Sequence, residues 1–205
     1  MAKPSAPQKR AYNSPRRQQQ AAATRRVVLE AAERLFVREG YPATTMEAIA
    51  AEAGVSLKTA YLPFATKSGL LRALWDLRLK GDDGEPPVAQ HKWYLEVMNE
   101  QDPARKLRLN ARNSAAAKTR IGGMFRVIRT AATVDSDCAE LWTLIQTDFR
   151  ANQRTIVESI HRLGGLRHGL RLERATDILW TLNHPDVWML VSGESGWTPA
   201  LTSGG

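Results

Sequence analysis

Apolar residues recur at helical spacing along most of the chain, and no stretch shows the strict alternation of a half-buried strand. The first run starts at Thr24 and includes Val28 and Leu35. Gly40 ends this run as a helix C-cap would. A longer apolar stripe covers residues 141–163 with a period close to that of a straight helix. The pattern predicts an all-α protein.

Two short helices are predicted after Gly40. Thr44 is the expected N-cap of the first, and Glu47 follows at the spacing of a capping box. The first helix stops at Gly54, Ser56 is the N-cap candidate of the second, and Pro63 prevents the second from continuing. Two short helices joined by this tight turn form a helix-turn-helix, which places its second helix in the DNA major groove.

A fourth helix follows Thr66, and the Gly-, Asp- and Pro-rich residues 81–87 predict a domain boundary. We therefore expect a helix-turn-helix domain at 24–80 and a larger helical domain at 81–205. In the second domain, helices are predicted around Trp93, from Asp102 and Pro103, over about 121–132, from about Asp137 to Leu163, and from about Leu172, with a kink or restart at Pro185.

The excess of basic residues predicts a polyanionic partner. Lys and Arg exceed Asp and Glu by 29 to 21 in the 205 residues, which favours nucleic acid or an anionic membrane. Residues 1–23 are rich in Pro and Gln and contain no acidic group, so a flexible basic arm is expected. The arm either supplements DNA binding or only aids solubility.

Several classes of site are excluded. The single cysteine, Cys138, excludes an intrachain disulfide and a thiolate zinc cluster. Glu158 and His161 have the spacing of a di-iron helix motif, but no second copy exists. The histidines are scattered, and the sequence has no glycine-rich phosphate loop or nucleophile elbow, so no metal, no cofactor and no enzymatic activity are expected. Neither a membrane-spanning apolar run nor a signal peptide is apparent. We expect a cytoplasmic, nucleoid-associated protein with no membrane partner.

The segment around the predicted turn resembles the TetR family of bacterial transcriptional regulators. The matching residues are Thr44, Thr45, Ile49, Ala50, Ala53, Gly54, Val55, Ser56, Thr59, Tyr61, Phe64, Lys67 and Leu70. The resemblance implies an N-terminal three-helix DNA-binding domain followed by a larger helical ligand-binding and dimerisation domain. It also implies a homodimer that binds a pseudo-palindromic operator, more often as a repressor, and is released by a small, largely apolar ligand.

The resemblance places the DNA contacts at the start of the second short helix and at neighbouring helix ends. Lys58 is able to donate to guanine acceptors, and Leu57 and Thr59 are able to touch a thymine methyl group. Lys67 stands in the first turn of a helix, where a cation opposes the macrodipole unless an anion lies nearby. The predicted DNA-binding residues are Arg25, Arg26, Thr45, Leu57, Lys58, Thr59, Tyr61, Leu62 and Lys67.

The second domain is the expected ligand sensor and dimer interface. The predicted cavity-lining residues are Trp93, Met124, Phe125, Trp142 and Phe149, although large apolar side chains also form any ordinary helical core. The family implies dimerisation through the last two long helices. The predicted interface residues are Asn152, Ile156, Ile160, Leu163, Ile178 and Leu182.

Two other functions stay open at this point. The chain is alternatively a helical small-molecule binding protein or enzyme whose N-terminal unit is only scaffold. A peripheral membrane protein that uses the basic arm is a third possibility, but stable anchoring needs a second hydrophobic signal that the sequence lacks.

Overall fold

The computed structural model describes residues 15–80 and 90–191, and within these ranges it contains helices and no strand. The all-α prediction is confirmed. The helices are α1 (Pro15–Glu39), α2 (Met46–Glu52), α3 (Leu57–Tyr61), α4 (Lys67–Lys80), α5 (Lys92–Asn99), α6 (Pro103–Ala131), α7 (Ser136–Arg162), α8 (Leu172–Leu182) and α9 (Pro185–Met189).

Helices α1 to α4 form the N-terminal unit. Phe36, Ile49 and Leu71 are fully buried where α1, α2 and α4 meet. On the unit's surface, the Arg78 guanidinium of α4 donates two hydrogen bonds to the Glu33 carboxylate of α1. This bidentate pairing fixes α4 against α1 and raises the pKa of Arg78.

The first helix begins at Pro15, earlier than the Thr24 start that the sequence predicts. Residues 15–23 are therefore helical, and the predicted flexible arm is wrong for this stretch. The intervening Gln and Ala residues are good helix formers, and the buried part of α1 that follows provides the nucleus from which they extend. Residues 1–14 of the predicted arm lie outside the described residues, as does the predicted boundary at 81–87.

Helix α6 is one continuous helix, although the sequence predicts two helices in this region. It begins after the predicted N-cap Asp102, whose side chain accepts from the Arg105 amide, and it runs through Gly122 and Gly123 to Ala131. Gly123 lies where α6 crosses α1, because a Cβ built there would stand 3.8 Å from a methyl group of Val37. Packing of this part of α6 against α1 thus offsets the low helix propensity of Gly123.

Helices α7 and α8 pack against each other and connect through ion pairs. Arg150 of α7 contacts Asp177 of α8 at 2.7 Å, and Arg154 pairs with both Glu158 and Glu173. The chain then turns at Asn183, and Pro185 begins α9 as predicted.

The main core is shared between the N-terminal unit and the later helices. It extends from α1 and α4 to Phe125 and Ile128 of α6 and to Leu141 and Ile145 of α7. A smaller cluster, Val97 with Ile156 and Ile160, lies between α5 and α7. A rearrangement of α6 or α7 would therefore change the packing against α1 and α4.

Candidate DNA-binding surface and interior cavity

Helix α3 presents most of its side chains outward. Its backbone starts at the N-cap Ser56, whose Oγ accepts from the Thr59 amide at 3.1 Å. Ala60 is the one fully buried residue of the helix. Lys58 is exposed, as are 38% of Tyr61 and 75% of Leu62. The fold does not need these exposed side chains for its core.

The turn before α3 depends on a left-handed glycine. Gly54 has φ +67°, and its amide donates to the carbonyl of Ala51. The Val55 amide then donates to the carbonyl of Ala50 at 3.0 Å, which closes the end of α2. A Cβ at Gly54 would meet no atom within 4 Å, so conformation rather than crowding requires the glycine.

The start of α2 differs from the prediction by one residue. Thr45, not Thr44, is the N-cap, and its Oγ1 accepts from the Ala48 amide at 3.1 Å. Thr44 is fully buried and donates its hydroxyl to the carbonyl of Gly40. The sequence does not distinguish the two threonines as N-cap, because either one satisfies the N-cap preference. Thr45 is exposed at the N-terminus of α2.

Lys67 has internal partners. Its Nζ donates to the carbonyls of Tyr41 and Thr44 at 3.0 and 2.9 Å and lies 4.1 Å from the centre of the Tyr41 ring. These contacts tie the start of α4 to the loop before α2. The unfavourable position that Lys67 has against the helix dipole is thus offset inside the protein, and its contact with DNA stays a prediction.

Arg25 and Arg26 lie inside α1 rather than at its start. The Arg25 guanidinium stands 5.2 Å from the centre of the Phe64 ring, which links α1 to the chain after α3. Arg26 is exposed and pairs with Glu30 at 3.0 Å.

A cavity of about 370 Å³ lies among α4, α5, α6 and α7. Three of the predicted lining residues, Trp93, Phe125 and Phe149, do line it. Met124 and Trp142 do not. Met124 is 99% buried in the main core, and Trp142 packs edge-on against Phe125 with ring centres 4.8 Å apart. Periodicity places a residue on a buried face, but it does not distinguish a cavity wall from filled core.

The cavity also has a polar lining that the sequence analysis missed. Lys118 of α6 lines it while only 6% exposed, and its Nζ donates to Asn183 Oδ1 at 2.6 Å. The Asn183 amide in turn donates to Ser114 Oγ at 2.9 Å and to Gln153 Oε1 at 3.1 Å. The sequence did contain a signal, because Ser114 and Lys118 share a helix face with the buried Phe125.

The predicted dimer interface is partly wrong. Ile156 and Ile160 are at least 97% buried against Val97 in the same chain, and Asn152 lines the cavity. The long apolar stripe of α7 therefore faces the protomer's own interior. Leu163 is half-buried. Ile178 and Leu182 of α8 are 42% and 68% exposed and remain predicted interface residues.

Two carboxylates at the N-terminus of α7 hold the N-terminal unit. Asp135, the N-cap of α7, accepts from Tyr41 Oη at 2.6 Å, and Asp137 accepts from Ser68 Oγ at 2.8 Å. The Tyr41 hydrogen bond lowers the pKa of Asp135. Burial and the same bond raise the pKa of Tyr41. We call these two hydrogen bonds the α7 clamp.

Comparison with known proteins identifies the N-terminal unit. Residues 28–74 match the family described as bacterial regulatory proteins, tetR family. The N-terminal unit belongs to the tetR family. The match covers α2, the turn and α3, so this tetR-family unit is a DNA-binding regulatory domain rather than an enzyme. No curated protein sequence matches the chain.

Solved tetR-family and related structures share the whole fold. A TetR transcription regulator from Haloarcula marismortui superposes with a TM-score of 0.61 at 17% identity, over 83% of this chain and 87% of that one. NalD, the secondary repressor of the MexAB-OprM efflux pump in Pseudomonas aeruginosa, gives 0.60 at 18%, over 86% and 89%. The SmeT–triclosan complex gives 0.61 at 20%, over 84% and 82%. At these identities the likeness shows the fold, a helix-turn-helix domain followed by a larger helical domain.

Within residues 15–80 and 90–191, no group of three or more His, Cys, Asp and Glu side chains is arranged to hold a metal ion. No helix in the same ranges is long and apolar enough to span a membrane.

Proposed function

We propose that the protein is a cytoplasmic transcriptional repressor that binds a pseudo-palindromic operator as a homodimer and is released by a small ligand with a largely apolar body. The observation that carries the proposal is the outward face of α3. Lys58 and Tyr61 are exposed on this short helix and Leu62 at its C-cap, and Ser56 and Gly54 hold the helix in place. Such a helix is suited to enter a major groove with its first residues at the base edges.

The other predicted DNA contacts differ in how exposed they are and in whether they also make contacts within the protein. Thr45 and Arg26 are exposed and suited to phosphates, while Arg25 and Lys67 also hold the unit together. Leu57 is 38% exposed beside Lys58, and Thr59 is half-buried. Phosphate contacts position the protein, and base contacts from α3 specify the sequence.

A gel-shift with the DNA that flanks the protein's own gene tests the proposal. Full-length wild type should retard this DNA at low salt, and Lys58→Ala should bind it about tenfold more weakly. Lys92→Ala is the matched control, since Lys92 is an exposed lysine on α5. Equal binding by Lys58→Ala and wild type would instead support an N-terminal unit that serves only as scaffold. Lys67→Ala is unsuitable here because it also removes two internal hydrogen bonds.

Ligand release is supported by the position of α7. This helix lines the cavity through Phe149 and Gln153, and its first turn forms the α7 clamp with the N-terminal unit. A ligand that shifts α7 would therefore change the orientation of α3. The similarly folded SmeT was solved with triclosan, and NalD is a repressor.

A further inference from the structure

The cavity has an aromatic part and a polar part. Trp75, Trp93 and Phe149 contribute aromatic surface from α4, α5 and α7. Lys118, Ser114 and Gln153 also line it, and Asn183 connects all three by hydrogen bonds. A ligand that satisfies both parts needs an apolar body and a polar head.

Lys118 gives the polar part a buried positive charge. Its ammonium has three donors, and its one acceptor among the described residues is the Asn183 amide oxygen. No carboxylate within the described ranges lies at ion-pair distance from Lys118. Burial lowers the pKa of Lys118 to about 8, so at neutral pH most of the population is still charged. A buried charge without a counter-ion is unfavourable, and an anion beside it removes that penalty.

Lys106 shows what a purely structural buried lysine looks like in the same helix. It is 1% exposed, and its Nζ donates to the carbonyl of Met98 at 2.9 Å and to Ser159 Oγ at 2.6 Å. Lys106 does not line the cavity. Lys118 is comparably buried but has fewer protein acceptors and faces the cavity.

Charged groups at the edge of the cavity do not cancel the positive charge that Lys118 gives to its polar part. Asp148 and Arg120 both line it, and both are exposed to solvent. They are of opposite charge and are screened by water. The charge that a buried ligand meets is therefore that of Lys118. Aromatic walls alone would also accept a quaternary ammonium group, but the buried ammonium disfavours a cation.

We propose that the cavity binds an organic monoanion, with an apolar alkyl or aromatic body among Trp75, Trp93 and Phe149 and an acid group held by Lys118. This rests on the proposed function, because it names the ligand class of the same regulatory site. The volume of about 370 Å³ sets the size to that of a small carboxylic acid.

Calorimetric titration of the full-length protein at pH 7 tests the assignment. The probes are 4-phenylbutyrate and decanoate as anions, 4-phenylbutyramide as the neutral match, and 4-phenylbutylamine as the cation. Quenching of tryptophan fluorescence is a second readout, since Trp75 and Trp93 line the cavity. We expect 4-phenylbutyrate to bind at least about tenfold more tightly than its amide, as a charge-assisted hydrogen bond implies. Decanoate decides between an alkyl and an aromatic body. The proposal would be overturned if the amide or the amine bound as tightly as 4-phenylbutyrate or more tightly. It would also be overturned if neither 4-phenylbutyrate nor decanoate bound.

Variants locate the preference at Lys118. Lys118→Met should bind acid and amide with equal affinity, and Lys118→Arg should keep part of the preference for the acid. Lys106→Met is the matched control and should keep the whole preference. If Lys118→Met does not fold, the wild-type probe series and Lys118→Arg still decide the matter. DNA binding is measured separately. If the wild-type protein binds DNA but shows no preference for the acid over the amide, only the proposed ligand class is overturned. If the wild-type protein does not bind DNA, the proposed function is overturned.

Discussion

Gly54 and Gly122 both have open space where a Cβ would stand, but their backbones differ. Gly54 has φ +67°, and Gly122 lies in the interior of α6. We expect Gly54→Ala to lower the free energy of unfolding by about 1 kcal/mol, because a side chain is disfavoured in the left-handed region. Gly122→Ala should raise it by up to about 1 kcal/mol through helix propensity. Urea denaturation measures both, and a loss of the same size in both variants would show that crowding decides instead.

Lys118 makes stability depend on pH. Its pKa falls from 10.5 in the unfolded chain to about 8 in the folded protein. Between these values the unfolded state binds more protons, so stability rises with pH by up to about 3 kcal/mol. Well below pH 8 both states are protonated and this contribution is constant.

The difference in unfolding free energy between wild type and Lys118→Met isolates this effect. The other titratable groups near Lys118 are Asp148, Arg120, Tyr94 and His184, and both proteins contain them. Burial, and to a lesser extent Lys118, lowers the pKa of His184 from 6.5, so this residue is neutral in both proteins across the alkaline range that is compared. We expect the free energy of unfolding of the wild type to increase relative to that of Lys118→Met as the pH rises from 8 to 10.5. A pH-independent difference would mean that Lys118 titrates normally.

At the scale of single elements, the α7 clamp is the feature with the clearest functional consequence. Tyr41→Phe removes the donor to Asp135, and Ser68→Ala removes the donor to Asp137. Each should lower stability by about 1 kcal/mol. If α7 transmits the ligand signal, both variants should also reduce the ratio of DNA affinities without and with 4-phenylbutyrate.

Thr147→Val is the control for this experiment. Thr147 is exposed on α7, and its hydroxyl donates a hydrogen bond within the same helix, to the carbonyl of Thr143. Fluorescence anisotropy with labelled DNA gives the ratio for each protein. An unchanged ratio in Tyr41→Phe and Ser68→Ala would exclude the clamp from the coupling.

Elements were predictable from the sequence where a local signal determines them. Gly40, Gly54 and Pro185 each mark a helix end or turn that the structure contains, because glycine conformation and the missing proline donor act locally. The continuity of α6 through Gly122 and Gly123 was not predictable, since it depends on packing against α1.

The site was predictable to a lesser degree. Exposed Lys58 and Tyr61 follow from the turn and from the family resemblance. The sequence predicts Asn152 and Ile156 at a dimer interface, because an apolar stripe indicates a buried face but not whether the same chain or a second subunit covers it. The structure shows α5 and the cavity on that side.

For the whole molecule, the surface of α8 bears on dimerisation. Ile178 and Leu182 are exposed, and Leu144 of α7 is 40% exposed. We expect Ile178→Glu with Leu182→Glu to convert a dimer to a monomer in sedimentation equilibrium, because charges in an apolar interface are costly. Leu95→Glu is the matched control, since Leu95 on α5 is 44% exposed. A dimer that survives the double change would place the interface elsewhere.

The central claim is that α3 enters the major groove of DNA in both subunits of a dimer. DNase footprinting of the full-length protein on the DNA flanking its gene tests this most directly. The account predicts two protected half-sites on one face of the duplex, with centres about 34 Å apart, and weaker protection with Lys58→Ala. Absence of protection at low salt, or identical protection by Lys58→Ala, would contradict it.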